Sequence, residues 1–180
     1  PPAPPPAPSL ANSWGSTFSP SIYGIFSVGG ATANTIVAPQ IIINNAISAI
    51  ALTEFSKARP RVLKQLRALN QLNRIIPSNQ INASEKGFFN NGTIFIDPTL
   101  LTTNIVSLPG VLVHEAIHSL QRETTIYQEF IDNEQESFNG QFAMESELQQ
   151  INSAYRTLMP RELTRGQIER MYKSLAPSAK

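Results

Sequence analysis

Cysteine is absent from the chain, histidine occurs only twice, and residues 1 to 53 carry no Asp, Glu, Lys or Arg. The missing cysteine excludes a disulfide scaffold, a thiolate zinc finger and a cysteine nucleophile. Two histidines leave few ways to build a metal site. The 14 basic and 13 acidic residues nearly cancel, which argues against a nucleic-acid partner held by net charge. Long apolar runs are missing as well. The longest, Ile41 to Leu52, contains Asn44 and Asn45 and falls short of the roughly 20 residues a membrane-spanning helix needs. No basic region precedes an apolar stretch in the manner of a secretory signal. What remains is 180 residues, 41% hydrophobic and 15% charged, enough to bury the core of one globular domain.

The opening PPAPPPAP favours polyproline II and cannot join a packed core. Residues 1–40 are therefore read as a charge-free, Pro-rich linker or extension, and residues 41–180 as the domain. A start without Met suggests a fragment or a processed product. From Ile41, apolar residues at threes and fours (Ile42, Ala46, Ile47, Ile50, Leu52, Phe55) predict a helix that Pro60 interrupts. A second helix over Arg61–Arg74 would bury Val62, Leu63, Leu66, Leu69 and Leu72. The basic residues around it are read as a solvated face, because no aromatics interleave them.

Ile75-Ile76 suits a short strand. Gly87–Asn90, Asn91-Gly92 and Thr93–Ile96 form a hairpin signal, since Asn-Gly supplies the two positive φ values of a type I′ turn. Asp97-Pro98 ends the second strand. Ser107 and Pro109 then open a helix expected to run to about Arg122, buried on one side. A long helical tract follows from about Ile126 to Leu158, with Gly140 as a soft spot, and Thr164 caps a last helix through Leu175. Two helices, a small sheet and three helices make an α+β fold.

The helix after Ser107 contains His114-Glu115-Ala116-Ile117-His118, an HExxH. Four residues advance a helix by about 400°, so both imidazoles emerge on one face a turn apart, as two ligands of one Zn2+ require. Glu115 sits about 100° round, within reach of a water near the ion without being a ligand. A tetrahedral zinc needs a third protein ligand and keeps one position open. No histidine remains, and Thr124 stands where a metzincin would place its third. The third ligand should thus be a carboxylate, and the segment Glu123–Glu147 offers seven acids and no base.

HEAIH followed by a Glu on the next helix resembles the gluzincins, the zincin metallopeptidases with two His and one Glu as zinc ligands. Three further features are similar: the strand Thr93–Asp97, which looks like the zincin edge strand along which peptides lie; the stretch Glu134-Gln-Glu136-Ser-Phe-Asn-Gly-Gln141, close to an ExEA-type signature with Ser137 in place of Ala; and the HExxHxxQ form ending at Gln121. The resemblance covers about residues 60–155. It implies a zincin-like fold with the HExxH helix packed on a Glu-bearing helix, a Zn2+ cofactor, a peptide or protein substrate, and Glu115 as general base.

Among the acids, Glu136 is favoured as the ligand. Seventeen residues separate it from His118, close to gluzincin spacing, and it shares a helical stripe with Gly140 and Ala143, small residues that would let two helices approach. Glu134, on a face with Phe130 and Phe138, comes second, and Asp132, as an aspzincin-like ligand, third. The oxyanion donor the family adds would be Tyr127, with Tyr155 and Tyr172 as further candidates. Asp97 is open to two roles, partner of a ligand histidine or turn former. The competing function is a catalytically inactive zincin-like module that binds or supports within a secreted, effector or virion protein; a purely structural zinc fits less well, since three ligands leave a position open. A secreted or translocated location is favoured over a cytoplasmic one.

Overall fold

Proline starts helices here rather than ending them. The computed structural model describes residues 38–81, 86–155 and 161–173; most of the Pro-rich extension, the region of Leu158 and the end expected at Leu175 lie outside them. Pro39 occupies the first turn of α1 (Pro39–Ala51), two residues before the expected start, because its missing N–H is unneeded there and its φ suits a helix. Thr53 breaks the expected helix: its Oγ1 accepts the Ser56 N–H and caps α2 (Glu54–Ala58). Leu52, expected in the core, is exposed at that break. Pro60 then opens α3 (Pro60–Gln71), which buries Val62, Leu66 and Leu69, each worth about 1.5–3 kcal/mol. Helix α3 ends three residues before Arg74, and the cause is local. Asn73 takes φ 53°, Asn73 N–H bonds Asn70 O and Arg74 N–H bonds Leu69 O, the paired bonds of a Schellman cap. Leu72 is left exposed.

That cap turns the chain into β1 (Ile75–Pro77). The hairpin forms as its sequence dictates: β2 (Gly87–Asn90) and β3 (Thr93–Ile96) pair antiparallel across Asn91 and Gly92, with φ of 47° and 74°. Phe88 stacks on Phe95, ring centroids 4.8 Å apart. Strand β1 pairs parallel with β3, giving the order β1-β3-β2. The strand Thr93–Ile96, expected at the edge, is therefore central, and β2 forms an edge. The reason lies in burial. Ile94 and Ile96 are fully buried, and both flanks of a strand so buried need backbone partners.

Helix α4 (Leu108–His118) stands at the centre, with every residue from Leu108 to Ile117 buried, so it is not one-sided. It packs on α1, α3, β2, β3 and the long helix α5 (Tyr127–Ile151). It also stops four residues short of Arg122. Leu120 and Gln121 donate to Ile117 and His118 carbonyls, i→i−3 bonds that wind the helix off. Helices α4 and α5 run antiparallel: Gly110 lies by Glu145 and Gly140 by Ile117, and Gln121 bonds Asn133. Gly140 is no soft spot, since α5 passes through it unbroken. After α5 the described chain resumes at residue 161, and a capping box of Thr164 and Gln167 starts α6 (Arg165–Met171). The main core is shared by α1–α5 and the sheet; a second cluster of Ile131, Leu163, Ile168 and Tyr172 fastens α6 to α5. The fold is thus α+β, six helices with a small mixed sheet among the described residues. No helix among them is long and apolar enough to cross a membrane.

Candidate metal centre

The antiparallel packing of α4 on α5 brings two histidines and one carboxylate together. His114 Nε2 and His118 Nε2 are 3.0 Å apart, His118 Nε2 is 3.4 Å from Glu134 Oε1, and His114 Nε2 is 4.0 Å from Glu134 Oε2. Ligand atoms around a tetrahedral ion with bonds of about 2.0–2.1 Å stand about 3.3 Å apart. The three groups therefore enclose a space of the right size for a metal ion.

The protons can be placed from the hydrogen-bond network. Gln121 lies 2.9 Å from His118 Nδ1 through Oε1, and its Nε2 donates to Asn133 O and Glu136 Oε2, each at 3.0 Å. A carbonyl and a carboxylate can only accept, so the amide NH2 faces them and its oxygen faces the ring. His118 Nδ1 must then carry a proton, which leaves a lone pair on Nε2. Ser137 Oγ, 3.4 Å away, donates to Asn133 O and so turns a lone pair to the same N–H. Two bare imidazole nitrogens cannot sit 3.0 Å apart; a proton or a cation must lie between them. His114 Nδ1 is meanwhile buried and makes no hydrogen bond of normal geometry, the Gln141 side chain being the polar group that favours the charged ring.

Burial also moves the ionisations. It holds His114 well below its ordinary pKa, with the charge of His118 acting in the same direction and the nearby Gln141 side chain opposing. It raises Glu134 above the usual carboxylate range despite the His118 charge and a hydrogen bond from Tyr172. A neutral imidazole is the ligand form, and a buried carboxylate held above its usual pKa gains most from a nearby cation. Two imidazole Nε2 atoms and a buried carboxylate oxygen, all within ligand distance of one point, form a donor set that fits a divalent metal.

The residues singled out from the sequence fall in different places. His114, Glu115 and His118 share α4, with Glu115 6% exposed. The Glu115 Cγ lies under Gly87, where a Cβ would come within 3.4 Å of it and 2.8 Å of Val111 Cγ1. The contact with Val111 is the tight one, so only a bare backbone lets β2 lie this close to α4. Glu136, the favoured carboxylate, does not join the histidines. It is half exposed, accepts from Gln121, and pairs with Arg59 at 3.2 Å. The stripe of Glu136 and Gly140 faces Gln121 and Ile117, whereas Glu134 lies on the side of α5 that carries Ser137 and Phe138, the side that meets the two rings. Asp132 is exposed and paired with Arg165.

Tyr127 points its hydroxyl at the Glu169 and Tyr172 carbonyls, 3.5 Å from each, rather than at the histidines. Tyr155 packs against the main core. Tyr172 is the tyrosine at the centre, its hydroxyl donating to Glu134 Oε2 at 2.7 Å. Asp97 forms the turn, accepting from Thr99 N–H at 2.8 Å and Lys86 at 2.7 Å. Two contacts were not legible in the sequence: the edge-on meeting of the Phe138 ring with His114 at 4.5 Å, and the buried pair in which Gln141 donates to Glu145 at 2.8 Å. Gly110 is the trace of that pair, since a Cβ there would collide with Glu145. Comparison with known proteins finds no family model, curated protein or solved structure that matches the chain.

Proposed function

We propose that the chain is a zinc-dependent peptidase domain of the gluzincin kind, with a zincin-like fold, in which His114, His118 and Glu134 hold the metal. The observation that carries this reading is the convergence of two Nε2 atoms and one buried carboxylate from two packed helices. Zinc bound there supplies Lewis acidity, enough to lower the pKa of water from about 15.7 towards about 7. The chain's own residues do the rest. Gln121 and Ser137 fix the tautomer of His118, so that Nε2 presents its lone pair. Phe138 holds the His114 ring from its edge and keeps water from that side. The Glu115 carboxylate, one position along α4, takes a proton from the attacking water and returns it to the amine that leaves when the peptide bond breaks.

One observation favours the second reading, a zincin-like module that binds without cleaving: Glu115 is 6% and Glu134 3% exposed, so a substrate reaches them only if β2 or its neighbours give way. One experiment separates the two. Glu115→Gln should keep bound zinc and abolish cleavage of a peptide library that the unaltered protein cuts. Cleavage unchanged by the substitution rejects Glu115 as the base, and a zinc-loaded parent that cuts nothing supports the binding module.

A further inference from the structure

The carboxylate facing the histidines is held from behind by a residue outside the HExxH and ExE segments. Tyr172 donates its hydroxyl to Glu134 Oε2 at 2.7 Å, in a contact where both residues are 3% exposed. Tyr172 directly follows α6, and its ring is gripped by Phe130, edge-on at 5.0 Å. It belongs to the apolar cluster that holds α6 on α5, and Phe138, which touches the His114 ring, packs on the same cluster. Polar tethers among the described residues add to it: Leu163 bonds Asn139 and Gln135, Arg165 bonds Asp132 and Gln128, and the Tyr127 hydroxyl reaches the Glu169 and Tyr172 carbonyls. None of those touches Glu134.

We infer that Tyr172 is a positioning residue of the metal centre and that it makes metal occupancy and the docking of α6 depend on each other. This rests on the zinc reading above. A free glutamate side chain has several rotamers, and fixing one costs free energy at the moment of binding. The phenol fixes it beforehand, with Oε2 held and Oε1 turned to His118. Outer partners of this kind change metal affinity by roughly 10–100-fold. Linkage makes the effect mutual: the factor by which a docked α6 tightens zinc is the factor by which zinc tightens docking. The C-terminal helix is then part of the site, and loosening it loosens the metal.

The test uses the 180-residue chain stripped of metal with a chelator. Zinc is titrated against a chromophoric competitor, and amide exchange is followed across Gln167–Tyr172 with and without zinc. Tyr172→Phe keeps the ring and removes the donor. The inference predicts zinc binding weakened by about tenfold or more, and exchange in α6 slowed by zinc by a similar factor in the parent but not in the variant. Cobalt(II) as a probe adds a signature that loss of packing alone would not produce, a changed visible spectrum from a carboxylate no longer held in place. Equal zinc affinity in parent and variant overturns the inference and leaves the zinc reading standing; a parent that takes up no zinc overturns both. If the variant fails to fold, the parent alone decides: α6 exchange indifferent to bound zinc overturns the inference.

Discussion

Gly140→Ala puts the helix contact that assembles the site under direct strain. A Cβ on Gly140 would lie 2.3 Å from Ile117 Cδ1 and 3.7 Å from Phe55 Cε2. Carbon atoms pack best at about 3.5–4.0 Å, so Ile117 would have to retreat by more than about 1 Å. It has little room, being 3% exposed on a helix buried all round. Overpacking of this kind costs about 1–3 kcal/mol. Against it stands the helix preference of Ala over Gly, about 1 kcal/mol. The net expectation is a loss of about 1 kcal/mol, within a range of about 0–2. Ile117→Val removes the clashing Cδ1 atom itself, at about 0.5–1.5 kcal/mol. In that background Gly140→Ala should become stabilising by up to about 1 kcal/mol, giving a coupling of about 1–3 kcal/mol between the two positions. Urea unfolding of the four metal-free proteins measures this, provided their m values agree. If Gly140→Ala stabilises by about 1 kcal/mol in both backgrounds, the helices do not touch here, and the packing that sets Glu134 3.4 Å from His118 loses its foundation.

Two further expectations follow from the network around the rings. Gln121→Leu removes the acceptor of the His118 Nδ1 proton and should weaken zinc binding about tenfold while leaving the metal-free protein folded; competition titration and circular dichroism check both halves. His114 has a folded pKa well below 6.5, so on acidification the unfolded chain takes up its proton first. Stability contributed by the neutral ring is then present above about pH 6.5 and lost progressively as pH falls below it. Urea midpoints of chelator-treated protein should fall from about pH 7 to about pH 5.5, and the fall should be shallower in His114→Asn.

The parts legible in the sequence were those set by local geometry. The spacing of His114 and His118 is enough to put two rings on one face of a helix, and Asn91-Gly92 is enough to make a turn with both φ values positive. Gly140 is a point of close approach, as the sequence suggests, yet the stripe it defines points to Glu136, which stands apart from the two rings while Glu134 faces them. The rings face the neighbouring side of α5 with Glu134 and Phe138, whereas that stripe faces Ile117 and the loop after α4, which unwinds beyond His118. Nothing local marks that end, because Ser119, Leu120 and Gln121 all tolerate a helix, and Gln121 leaves it to bridge His118 and Asn133. Choosing Glu134 over Glu136 required the antiparallel register and the presence of Tyr172, 38 residues further on. The sheet order was hidden for a similar reason, since the parallel pairing of β1 with β3 joins segments that no turn signal connects.

Zinc binding by the two glutamine variants tests the central claim most directly. The unaltered chain should bind one equivalent of zinc. Glu134→Gln should lose affinity by more than the roughly 10–100-fold expected of an outer partner, and Glu136→Gln, which disturbs only a surface pair with Arg59 and the Gln121 contact, should retain most of it. Zinc that is lost in Glu136→Gln and kept in Glu134→Gln would contradict the account, as would a parent that binds none.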